Sequence, residues 1–165
     1  MNYLEKWILK VDIKSLDQID RRILRELQSN GRLTNTELSE RVHLSATATN
    51  ERVKRLGRDG FILGYTALLS PEKLGRGLLL FVEVKLERTT PDVFDAFAVA
   101  IRRTADVLEC HLIAGGFDYL VKARVADMSA YRQFLSDLLI AVPGIRETRT
   151  YTVMEEVKDT TNLPI

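Results

Sequence analysis

A single cysteine, Cys110, stands among the 165 residues. It rules out an internal disulfide and suits a reducing compartment, so the chain is read as cytoplasmic. There are two histidines, His43 and His111, far apart in sequence. Cys110 and His111 are neighbours that a strand would point to opposite faces. Neither a metal-ligand cluster nor a Cys/His nucleophile pair can be built from them, and Cys110 reads as inert core. No segment approaches the ~18 uninterrupted apolar residues of a membrane helix. Residues 1–14 alternate charged and apolar side chains and read as an arm, not a secretion signal. The glycine patterns of dinucleotide and phosphate loops are missing, and Gly75-Arg76-Gly77 reads as a connection. No catalytic constellation remains, so no enzyme activity, no metal, no cofactor and no membrane association are expected.

What is present is the composition of a globular protein, 45% hydrophobic and 28% charged, in a length that suits two small domains. The net charge is only +1, but it is unevenly spread. Residues 1–64 hold 12 Lys/Arg against 9 Asp/Glu, and residues 65–165 hold 12 against 14. A basic front half and an acidic back half fit a nucleic-acid binder carrying a second domain; ordinary solvated surface produces imbalances of this size too.

The front half is helical. Leu16, Ile19, Ile23, Leu24 and Leu27 recur at helical spacing behind Asp17, a natural N-cap, and Asn30-Gly31 ends the run. Thr34 and Glu37 form a capping box that opens a second, short helix through Val42. Ser45 caps a third, with Thr49, Val53 and Leu56 inward, ended by Asp59-Gly60. Phe61 to Leu68 then reads as a two-stranded wing or as a strand leaving the domain. Turn formers from Ser70-Pro71 to Gly77 mark a linker.

The back half alternates. Leu79–Leu86 reads as a strand with Val82, Val84 and Leu86 on one face. Thr90-Pro91-Asp92 opens a helix striped by Phe94, Phe97 and Ile101. Val107–Ile113 reads as a strand with Leu108, Cys110 and Leu112 inward. Tyr119–Val125 follows with Tyr119, Val121, Ala123 and Val125 inward. Met128–Val142 is helical, with Met128, Tyr131, Phe134 or Leu135, Leu138 and Val142 on its inner side, and Pro143-Gly144 breaks it. Thr148–Val157 reads as the last strand. The order βαββαβ is that of a ferredoxin-like sheet with both helices on one face. The fold class is therefore α+β, an N-terminal winged helix-turn-helix plus a C-terminal ferredoxin-like domain. The open sheet face would carry Phe81, Leu120, Tyr151 and Val153 among charges, a surface that calls for a second copy, so a homodimer is expected. The expected division is an arm at 1–14, the DNA-binding domain at 15–68, a linker at 69–77, the sheet domain at 78–158 and a tail at 159–165.

In a helix-turn-helix the second helix of the pair enters the major groove. Its exposed positions here are Ser45, Thr47, Asn50, Glu51, Lys54, Arg55 and Arg58. An Asn can bond an adenine edge with both halves of its amide, the cations can follow a phosphate backbone, and the helix N-terminus can hold a phosphate. Double-stranded DNA is the partner this suggests. The bland reading is a solvated face in which Glu51 pairs with Lys54 or Arg55. A third reading is a metabolite-sensing scaffold whose winged helix binds protein.

The order of motifs from Leu16 to Lys158 resembles the Lrp/AsnC family of transcription regulators. The resemblance is carried by Leu16-Asp17 with Asp20, Glu37-Leu38-Ser39, Leu44-Ser45, Glu51-Arg52-Val53-Lys54-Arg55-Leu56 and Gly60-Phe61-Ile62. In the back half it is carried by Glu109-Cys110-His111-Leu112, Gly116-Phe117-Asp118-Tyr119, Asp127-Met128-Ser129-Ala130-Tyr131, Thr148-Arg149-Thr150-Tyr151 and Met154-Glu155-Glu156-Val157-Lys158. It implies a bacterial regulator of amino-acid metabolism, dimers that in the family often assemble into octamers, a choice the sequence leaves open, and an amino-acid effector such as leucine held in clefts between neighbouring dimers. The matching positions are Gly115, Gly116 and Asp118, with Met128, Tyr151 and Val153 as walls. Asp118 could accept the effector's ammonium, and glycine-turn amides could donate to its carboxylate. Without the resemblance, a turn residue bonded to backbone is the stronger reading of Asp118.

The chain departs from the family at His43, where Gly is usual, at Ala46 and Ala48, where Pro is usual, and at Thr49, where Cys is usual. His43 is expected in the left-handed region, and Thr49 is expected to face the core with a hydroxyl in need of a partner. No operator sequence carries over.

Overall fold

The computed structural model describes residues 16–142 and 144–165. The arm at 1–14, including Trp7, and the helix-breaking Pro143 lie outside the described residues. The chain forms two compact units, one of residues up to Ala67 together with Thr160–Ile165, the other Leu68–Asp159.

The first unit holds three helices, α1 (Gln18–Ser29), α2 (Asn35–Val42) and α3 (Ala46–Arg58). Each starts where a side chain can take over an orphan backbone donor. Asp17 accepts from Asp20 N–H at 2.7 Å, while the Asp20 carboxylate reaches back to Asp17 N–H. Thr34 and Glu37 exchange the same pair of bonds, and Ser45 accepts from Ala48 N–H. His43 closes α2 in the left-handed region, at φ 57° and ψ 47°. Ile23, Leu24, Leu38, Val42 and Leu56 form the buried core, with Phe61 and Ile62 packed on it.

Residues 62–70 form no regular strand, and Leu63 and Leu68 are almost fully exposed. Neither the paired wing nor the outgoing strand expected for this segment forms among the described residues. Without a ladder partner among the described residues, its alternation makes an exposed ribbon.

The second unit is β1 (Leu78–Leu86), α4 (Pro91–Arg102), β2 (Val107–Leu112), β3 (Tyr119–Val125), α5 (Met128–Ala141) and β4 (Ile145–Thr152). The sheet order is β2-β3-β1-β4, and every neighbouring pair is antiparallel. The core lies on the helix-covered face. Leu80, Val82, Val84 and Leu86 meet Tyr119, Val121, Ala123 and Val125, closed over by Phe97, Ile101, Phe134 and Leu138. The Phe97 ring stacks on Tyr119 with centroids 4.1 Å apart.

Three strand and helix details differ from expectation. A bulge between Val107 and Glu109 turns Leu108 out, and Leu112 is exposed too, so of the three expected inward only Cys110, opposite Val121, is partly buried. The last strand begins at Ile145 and ends at Thr152, because its register follows β1 and not its own alternation. Met128 opens α5 and is more than half exposed, so it does not belong to that helix's buried side.

Candidate DNA interface and effector site

Helix α3 is held from behind by a charge cluster. The Asp20 carboxylate is 2% exposed and takes Arg52 at 2.8 Å and Arg55 at 2.6 Å, while Arg52 also reaches Asp17 at 2.6 Å. Asp17 is held below its ordinary value, first by the Asp20 N–H bond and then by Arg52. A carboxylate this buried needs such partners. Four residues, Asp17 and Asp20 at the start of α1 and Arg52 and Arg55 on α3, are thereby tied together, and the orientation of the recognition helix with them.

The seven residues picked out on α3 fall into distinct environments. Thr47, Glu51, Lys54, Arg55 and Arg58 are exposed, and Asn50 is half-buried. Lys54 pairs with Glu51 at 3.5 Å, as the bland reading expects. Arg55 spends part of its guanidinium on Asp20, so it is a structural tie before it is a phosphate contact. Arg58 has no acidic partner among the described residues. The Ser45 oxygen is used as an acceptor, which leaves its O–H free to donate. Asn50 shares one end of its amide with Asn35, 3.2 Å away. Reading an adenine with both halves of an amide requires both halves, so only one is free here. Asn35, in the first turn of α2, is the polar neighbour that sequence reasoning missed; its place right after the N-cap Thr34 was the available signal. Thr49 is fully buried and its hydroxyl finds no partner.

The effector positions divide into two groups. Asp118 sits where β3 meets β1: its N–H donates to Val84 at 3.0 Å, and its carboxylate accepts Leu86 N–H at 2.7 Å. The carboxylate bonds backbone, but that of a neighbouring strand and not of its own turn. Gly116 and Phe117 border a small polar depression on the open face with Glu83, Lys85, Glu147 and Arg149. Tyr151 lies opposite Phe81 and donates to Glu83 at 3.1 Å, and Val153 N–H bonds Leu79. From Phe81 to Leu86 is five strand residues, roughly 17 Å. Val153 therefore lies at the opposite end of β1 from Asp118, while Tyr151, opposite mid-strand Phe81, reaches Glu83 on the rim of that depression. Met128 follows Val125, which pairs with Leu78, and so falls at that same far end. One chain does not bring the six together. On the open face Glu109 bonds Lys122 and His111, which hold its carboxyl below the ordinary value. Burial lifts the Cys110 thiol to about 11, which keeps it a thiol at neutral pH.

Among the described residues no helix is long and apolar enough to cross a membrane, and no three acidic, histidine or cysteine side chains could hold a metal.

A capped helix pair presenting a polar third-helix face, joined to a split βαβ sheet, defines a two-unit transcription regulator. Residues 16–62 match the winged helix-turn-helix DNA-binding family, and residues 79–163 match the Lrp/AsnC ligand binding domain. The leucine-responsive regulatory protein of Escherichia coli K12 is 57% identical over 152 residues, 92% of this chain and 93% of that protein. A transcriptional regulator of Neisseria meningitidis, solved with L-Met, shares 42% identity at a TM-score of 0.86, over 91% of this chain and 97% of that one. An AsnC family regulator of Agrobacterium tumefaciens shares 32% identity, also at 0.86, over 90% and 97%. The chain belongs to the Lrp/AsnC family of transcription regulators. It is a DNA-binding regulator and not an enzyme, and DNA binding is favoured over the protein-binding reading of its helix pair.

Proposed function

We propose that this regulator controls genes of amino-acid metabolism in the bacterial cytoplasm, and that an amino acid bound by the sheet unit alters its hold on DNA. Leucine is the first candidate, since relatives at 57% identity are named leucine-responsive; methionine is the second, from the Neisseria complex. The chain pairs with a second copy through the open sheet face, and the dimers assemble into octamers. The observation that carries this reading is the division of the effector residues: Asp118, Gly115 and Gly116 lie at one end of β1, Met128 and Val153 at the other, with Tyr151 between them. A cleft between two copies can bring together what one copy keeps apart. Asp118 supplies an oriented carboxylate for the ammonium, and the turn amides supply donors for the carboxylate. On DNA, the Ser45 hydroxyl and the α3 N-terminus take a phosphate. Lys54 and Arg58 follow the backbone with support from Arg55, while Thr47, Asn50 and Glu51 face the bases.

A gel shift on the DNA upstream of the protein's own gene, at two salt concentrations and with a panel of amino acids, tests it. A salt-sensitive complex altered by leucine or methionine is expected. A complex indifferent to every amino acid refutes the effector assignment and leaves the DNA reading standing.

A further inference from the structure

Residues Thr160–Ile165 belong to the DNA-binding unit, not to the unit that precedes them. Gln28 and Leu163 exchange two hydrogen bonds, Nε2 to the Leu163 carbonyl at 3.1 Å and Leu163 N–H to Oε1 at 2.7 Å. Arg25 Nε donates to an oxygen of Ile165 at 2.7 Å, and the Ile165 side chain packs on the helical core. The exit segment lies on the same helix end: a Cβ on Gly31 would stand 3.2 Å from the Tyr65 ring. The chain thus crosses between the two units twice, at 67–68 and at 159–160.

Within the sheet unit both crossings are pinned at one end of the sheet. Arg76, in the incoming turn, pairs with Asp106. The Asp106 carbonyl accepts Arg124 N–H at 3.0 Å, and the nearly buried Arg124 guanidinium holds Glu156 of the outgoing segment. Val153 N–H bonds Leu79 at the start of β1. A body on one flexible tether explores a wide range of orientations; a second tether at a separate point confines it.

We propose that residues 153–165 form a second strap that confines the orientation of the DNA-binding unit and thereby sets the spacing of half-sites the regulator accepts. The proposal rests on the dimer reading above, because half-site spacing has meaning only when two units bind together.

The test uses the full chain and a Gln28→Ala, Ile165→Asp variant. The probes are a duplex obtained by random-sequence selection with the wild type, the same duplex with about five base pairs (roughly half a turn) inserted at its centre, and a single half-site duplex. The wild type is expected to discriminate against the insertion by about tenfold or more. The variant should lose at least about threefold of that discrimination while keeping its half-site affinity. Should the double variant fail to fold, Gln28→Ala alone removes two of the three polar ties. Sedimentation of each protein separates the outcomes. A dimer whose discrimination survives loss of the strap overturns the proposal alone, as does a dimeric wild type indifferent to spacing. A monomeric wild type removes the dimer reading, and the proposal with it.

Discussion

His43 is the one non-glycine residue with positive φ among those described, and it sits in the turn that aims the recognition helix. An L side chain there costs on the order of 1 kcal/mol that glycine avoids, so His43→Gly should raise stability by about 0.5–1 kcal/mol. The midpoint of urea unfolding reads this directly. Thr49 carries the complementary flaw, a fully buried hydroxyl with no partner. Thr49→Val keeps the shape and removes the desolvated group, and should stabilise by about 1 kcal/mol on the same assay. A loss of stability would mean the hydroxyl is satisfied. His43 was legible because backbone geometry at a helix C-terminus is local. The inward direction of Thr49 was legible too, since it follows from helical period; the lack of a partner was not, because it depends on which groups pack around it.

At the scale of elements, the starts of α1, α2 and α3 were all readable, because a cap and the amide it satisfies lie within three residues of each other. Strand ends were not: β4 stops where β1 stops pairing with it, and the β2 bulge answers to β3. Arg55 was read as a phosphate contact because its partner, Asp20, lies 35 residues away and only the packing of α1 on α3 joins them. Lys54→Ala with Arg58→Ala is therefore the cleaner test of the DNA face, since it leaves the Asp20 cluster intact. It should weaken binding to all duplexes and reduce the slope of log affinity against log salt by about 2. The same cluster has a pH signature. The Asp17 carboxyl is depressed in the folded state, so its contribution to stability is full above the unfolded value and disappears as pH falls through the folded one. Asp17→Asn keeps a cap but cannot titrate. Its stability deficit relative to the wild type should shrink as unfolding is followed from pH 6 to below about 4.

For the whole molecule, the two-unit plan and the βαββαβ order were visible in the alternation of patterns, whereas the return of the tail to α1 was not. Nothing in Asn162-Leu163-Pro164-Ile165 differs from an ordinary polar-apolar segment until Gln28 and Arg25 are placed beside it. How the proposed effector residues are spread along β1 was not legible, because their places depend on strand register. Asp118→Asn tests the assigned role without removing the acceptor that Leu86 N–H needs. It should leave DNA affinity within about twofold and weaken the amino-acid response by about tenfold or more, the loss expected when a charge-assisted bond to an ammonium becomes a neutral one. An unchanged response in a titrated gel shift would remove Asp118 from the site.

Ile165 packs into a helical core whose other members lie between Leu16 and Ile62. On the ribosome, that core therefore stays unfinished while roughly a hundred residues of the sheet unit are made and begin to fold. A nascent chain interrupted anywhere in the second unit carries a recognition helix on an incompletely packed base. Completion of the DNA reader is thus deferred until the sensing half has already emerged, and a chain cut short before it leaves that reader unfinished.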